Sequence, residues 1–220
     1  MDMSPSRRRL LRHLLASGAL GAGGIGGFIS AALAKGDIPI KPGLNHLKGE
    51  VKINGRPAKV GDPVQRGDTV ETGKASETVL VIERDAFLIR DNSQVQFGAD
   101  AVKQTLRLIT GKVLSVFAKG EHTLRTPTAT IGIRGTGGYL EAVEAERNYF
   151  CLCYGEADVE TSGGHRTTYR TTHHEHPLFL ARDGEMSAAE VMNHSDAELT
   201  MLENLVGRWP PFGVDGYSRY

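Results

Sequence analysis

The chain has 220 residues, with 26 Lys and Arg against 26 Asp and Glu, so its formal net charge is zero. No Lys/Arg block interleaves with aromatic residues, which argues against nucleic acid and against anionic membrane surfaces as partners. The length allows one domain with a real core.

The first 34 residues read as an address. A basic head with Arg7, Arg8, Arg9 and Arg12 precedes an apolar stretch from Leu14 to Ala34, which ends in the small-residue exit Ala32-Leu33-Ala34. Six glycines make that stretch weakly hydrophobic for an anchor. Ser6-Arg7-Arg8-Arg9-Leu10-Leu11-Arg12 resembles the twin-arginine export motif, which implies export of an already folded chain. Residues 1–34 are therefore expected to be a signal peptide, with the mature chain starting at Lys35 and residues 35–48 as a linker. An uncleaved anchor in the inner membrane is the alternative. Removing 1–34 leaves 22 basic and 25 acidic residues, a net charge of −3. No other stretch is apolar enough to span a bilayer, so the expected location is the bacterial periplasm, with no stable membrane span after cleavage.

From Gly49 the apolar pattern is short and alternating, with turn residues every eight to twelve positions, which predicts an all-β domain over 49–183. VKINGRPAKV flanks Asn54-Gly55, a strong hairpin dipeptide. TVLVIE and AFLIRD are separated by Arg84-Asp85, and Gly111 reads as a turn between TLRLIT and KVLSVFA. NYFCLCY, ADVET and RTTYRTT extend the series to Thr172, and PLFLA is a last strand candidate. Many short strands at even spacing mean a sandwich, a barrel or a solenoid. Over 184–220 the character changes to short helices and an extended tail. Ser187-Ala-Ala-Glu190 and Ser195-Asp-Ala-Glu198 both have the capping-box pattern. Leu199, Leu202 and Val206 share a helical face behind the second, and Gly207 supplies a stop.

TPTATIGIRGT, from Thr126 to Thr136, carries the pattern T-P-x-A-x-x-x-x-R-G-T. With GEVKINGRPAKVGDPV before it and Ala157-Asp158-Val159 after it, this run resembles the FecR domain family over about Gly49 to Glu160. The resemblance implies an all-β extracytoplasmic domain. In the best-known members that domain belongs to a sigma-factor regulator with a cytoplasmic helical domain and one membrane span. Here Arg7 already lies in the export signal, so the expectation is a FecR-type domain without that regulatory circuit, acting as a non-catalytic binding or sensory protein with a protein partner in the periplasm or envelope. Within IGIRGTGG, the glycines suit a sharp bend and Arg134 is expected partly buried, tying carbonyls, with an anion site as the other reading.

Both cysteines, Cys151 and Cys153, fall in one strand two residues apart, so they face the same side, while Phe150 and Leu152 face the other. TTHHEHP follows some twenty residues later. Cys151, Cys153, His173, His174 and His176 form a candidate set for a transition metal such as zinc, copper or iron. The same thiols also suit a strained, reducible disulfide, or two small core residues. An oxidising compartment requires unpaired thiols to be buried, bonded or used. A Cys–His hydrolase lacks a visible oxyanion element or third group.

Overall fold

The computed structural model describes residues 24–34, 41–100 and 104–212. Helix α1 (Ile25–Ala34) precedes β1 (Gly43–Lys48), β2 (Val51–Ile53) and β3 (Arg56–Pro57). Next come β4 (Thr69–Thr72), β5 (Glu77–Ile82), β6 (Asp85–Ile89), β7 (Gln94–Phe97) and the long β8 (Gln104–Val116). β9 (Glu121–Arg125), β10 (Ala129–Arg134) and β11 (Gly137–Ala142) lead to the longest strand, β12 (Arg147–Thr161). β13 (Arg166–Thr171), β14 (Leu178–Ala181), β15 (Met186–Ala188) and helix α2 (Asp196–Leu205) follow.

Among the described residues the fold is mostly β, a five-stranded barrel with further strands around it and two short helices. The ring closes as β12–β10–β9–β8–β11 and back to β12. Every pairing is antiparallel except β8 with β9. Of the three architectures the spacing allowed, the barrel is the one formed.

Two glycines make the ring close. β8 runs between β7 and β9 up to Thr110, then between β6 and β11 from Lys112 onward. Gly111, expected as a turn, is instead the bend inside one strand, at φ +93°. A Cβ there would lie 2.1 Å from the Ser93 hydroxyl. β12 repeats the device: it pairs with β11 and β14 up to Tyr154, then with β10 and β13 from Gly155. NYFCLCY and ADVET are therefore one strand, bent at Gly155, whose φ is +105°. A Cβ there would meet the Thr136 methyl at 2.2 Å. Gly155→Val adds left-handed strain to that overlap, and the expected loss is about 3 kcal/mol or more of unfolding free energy. Denaturant titration checks this, and a midpoint unchanged from the parent would contradict the bend's role.

Other local expectations meet mixed outcomes. Asn54 and Gly55 take φ of 51° and 74°, the mirror-image turn that matches strand twist, and close β2 to β3. The β5–β6 turn sits one residue earlier than Arg84-Asp85. Ile82 pairs with Asp85, and Glu83 (φ 54°) and Arg84 form the loop. Asp85 is thereby buried, its Oδ1 accepting the Ala118 amide at 2.8 Å. The Ser195 box forms as read: the Ser195 side chain accepts from the Glu198 amide, and the Glu198 carboxylate accepts from the Ser195 amide at 2.9 Å. The Ser187 box does not start a helix. Ser187 lies in β15, opposite Phe179, because the open edge of β14 satisfies that backbone better than a turn of helix stopped by Asn193 at φ 59°. Six residues of the stretch expected as a linker form β1 and pair with β5.

The core has two layers. Phe150, Leu152, Ile131, Ile133, Leu124 and Leu140 fill the barrel. Cys151, Cys153, Tyr139, Tyr149, Leu114 and Val81 face outward, under Leu199, Met201, Leu202 and Leu205 of α2 and Ile29 and Leu33 of α1. Arg134 is not buried. It lies on the barrel surface, bonding Glu156 at 3.0 Å and Asp158 at 3.4 Å, an exposed pairing worth little to stability. Residues 1–23, the basic head and first half of the expected signal, lie outside the described residues, as do 35–40 and 213–220 of the tail. Among the described residues no helix is long and apolar enough to cross a membrane.

Candidate metal centre

β12 alternates, so the two cysteines share the outward face and are both fully buried, as the i, i+2 spacing requires. What covers them is the turn after β13 and the entry to α2. His174 takes φ 58°, an uncommon conformation for a side chain with a Cβ, held by its amide donating to the Cys153 carbonyl at 3.0 Å. That kink turns the His174 ring inward, with Nδ1 at 3.3 Å from Cys151 Sγ. His194 arrives from the other side, just after Asn193 at φ 59°, with Nε2 at 3.1 Å from His174 Nδ1. Its ring stacks on Tyr139 at 4.6 Å between centroids.

One donor atom from each of Cys151, Cys153, His174 and His194 thus lies within 4.8 Å of the others, all four buried. Tetrahedral coordination with bonds of about 2.0–2.3 Å sets donor atoms roughly 3.3–3.8 Å apart. The set needs only a small contraction to reach that geometry.

The outer nitrogens are already committed. His194 Nδ1 lies 2.7 Å from the Met192 carbonyl, which can only accept, so Nδ1 carries the proton and Nε2 presents a lone pair. His174 Nε2 donates to Asp196 Oδ1 at 3.2 Å, which likewise leaves Nδ1 as the inward lone pair. Two imidazole lone pairs 3.1 Å apart repel unless a cation lies between them. In the metal-free chain a proton serves. Burial opposes charge on His174, but its hydrogen bonds to Asp196 and Cys151 outweigh this and push its pKa up to about 9. The Cys151 thiol is held well below its ordinary range by the hydrogen bond from Cys153, helped by His174 and His194 against burial. Burial pushes Cys153 well up, and the neighbouring Cys151 adds to that. Both shifts favour negative charge on Cys151 and positive charge on His174.

Asp196 is the shared support. Both its oxygens accept from His173 Nε2 at 3.0 Å, and Oδ1 also accepts from His174. Carboxylates in this position orient a ligating imidazole and raise its basicity. Asp196→Asn should therefore weaken metal binding by about 10- to 100-fold without unfolding the barrel. Competition against a chromophoric chelator measures it, and equal affinity in the two proteins would remove Asp196 from the site.

Of the five residues singled out from sequence, Cys151, Cys153 and His174 converge. His173 turns to Asp196 and the surface side, against Phe212 at 4.4 Å between rings. His176 is exposed, lies 6.4 Å from the Tyr169 ring, and belongs to neither cluster of donor atoms. Extended backbone would have paired His174 with His176; the left-handed residue at His174 pairs it with His173 at Asp196 instead. His194 and Asp196 went unnoticed in the sequence, because Asn193-His194-Ser195-Asp196 reads first as a helix cap. The one available signal was a histidine and an aspartate two apart directly before an apolar helix.

No protein-family model matches the chain, and no curated protein does. Among solved structures, two crystal structures, at 1.65 and 2.50 Å resolution, of a "putative anti-sigma factor" from Parabacteroides distasonis ATCC 8503 are similar. Each has a TM-score of 0.48 and 8% identity, and the alignment covers 56% of this chain and 59% of that one.

Proposed function

We propose that this chain is an exported, non-catalytic binding protein of the bacterial periplasm, in which a FecR-like β-barrel is the scaffold for a buried transition-metal centre. The observation that carries the reading is the convergence of two cysteine sulfurs and two imidazole nitrogens within 4.8 Å. Two sulfurs and two nitrogens in tetrahedral reach suit zinc first, and copper(I) or iron(II) after it. With exposures of 0, 0, 3 and 7% for Cys151, Cys153, His174 and His194, the donors leave no face for a substrate, which favours a structural or sensing role over catalysis. The export-type signal and the T-P-x-A-x-x-x-x-R-G-T run support the location and an envelope protein as partner.

Metal analysis with thiol titration tests this on protein purified without chelator. One ion per chain, with both thiols unreactive until chelation, is the expected result. No metal and two thiols protected regardless would make the cysteines plain core residues. A thiol-redox role draws support from the low pKa of Cys151 alone. Consecutive same-face residues on a strand sit about 6.8 Å apart at Cα, at the far edge of disulfide reach, so a Cys151–Cys153 bond would require the strand to distort.

A further inference from the structure

A cleft of about 660 Å³ opens on the far side of His173 from the metal centre. Four aromatic rings line it: Phe117 after β8, Tyr154 at the bend of β12, and Trp209 and Phe212 after α2. Phe212 stands edge-on to Tyr154 at 5.9 Å between centroids. Trp209, the chain's one tryptophan, is 48% exposed beside them. A large indole left in water next to other rings is a ready stacking surface.

The charge of the cleft is positive. Arg208 donates Nε to Glu203 at 2.6 Å and Nη1 to the Arg84 carbonyl at 2.6 Å, while its buried Nη2 has no hydrogen-bond partner. Glu203 is already engaged by Arg208 and by the Tyr154 hydroxyl. Lys119, exposed at the rim, adds a second cation. The exposed Lys119 ammonium and the partly exposed Arg208 side chain, set beside aromatic rings, favour an anionic acceptor.

We infer that this cleft binds a planar aromatic carboxylate, with its ring against Trp209 and Phe212 and its carboxylate on the side of Arg208 and Lys119. A neutral aromatic gives the exposed Lys119 no counter-charge, and a saturated acid of the same size forfeits the stacking. The inference does not depend on a metal being bound.

The test uses the full chain and naphthalene-2-carboxylate as the probe. Because there is one tryptophan, its indole N–H is a single nuclear magnetic resonance and reports on this cleft alone. The carboxylate should shift that resonance saturably, in parallel with calorimetric binding. Naphthalene-2-carboxamide and the fully saturated acid should each bind at least about tenfold more weakly, as should the carboxylate to Lys119→Glu, an exposed change that spares the core. No saturable shift, or equal affinity for acid and amide, would overturn the inference. Unchanged affinity in Lys119→Glu together with equal binding of the saturated acid would overturn it too.

Discussion

Stripping an ion from the proposed centre should lower the melting temperature of this protein by roughly 8–16 °C. An ion present at 1,000 times its dissociation constant stabilises the state that binds it by about 4 kcal/mol. In a domain of this size each kcal/mol moves the midpoint by about 2–4 °C. Cys151→Ser, Cys153→Ser, His174→Ala and His194→Ala should each remove both the ion and the metal-dependent part of the shift, since each supplies one of four donor atoms. His176→Ala should change neither, because His176 is exposed and is not among the four donors. Differential scanning calorimetry with and without a chelator separates the cases. Equal midpoints in the two conditions, or a full metal complement in His194→Ala, would count against the centre as built here.

The second large effect concerns the C-terminal helix. Two donors belong to β12, whereas His194 lies one residue before the cap of α2 and Asp196 opens the helix itself. A metal bound across that seam ties the helix to the barrel. Without it, α2 is held by Leu199, Met201, Leu202 and Leu205, by Arg90, which bonds Glu198 at 2.8 Å, by the Tyr154 hydroxyl on Glu203 and by His173 and His174 on Asp196. The burial gain of a few aliphatic side chains and the entropy of ordering ten residues are of similar size, so a short cap of this kind sits near balance. Chelation should accordingly cut amide protection in Leu199 to Val206 by about a hundredfold or more, while β10 and the second half of β12 keep theirs. Native-state hydrogen exchange measures both regions in one sample. Uniform loss across barrel and helix would mean the metal serves the whole fold; no loss anywhere would mean it does not tether α2.

A barrel of this kind leaves clear marks in one dimension where its signals are local. Asn54-Gly55, the Ser195 box and the alternation that sends Cys151 and Cys153 one way and Phe150 and Leu152 the other all follow from backbone conformation over a few residues. That is why the all-β class and the facing cysteines could be read directly. Gly111 and Gly155 carry the same local signal as a turn, a demand for positive φ, and here it marks a bend inside a strand. Only the exchange of neighbours along β8 and β12 distinguishes the two. The metal set shows the same limit. Composition and spacing pointed to Cys151, Cys153 and His174, but replacing His176 by His194 took a left-handed turn at His174 and a helix docked from 20 residues away. Ring direction and long-range packing are properties of the closed structure, and no short stretch of this sequence encodes them by itself.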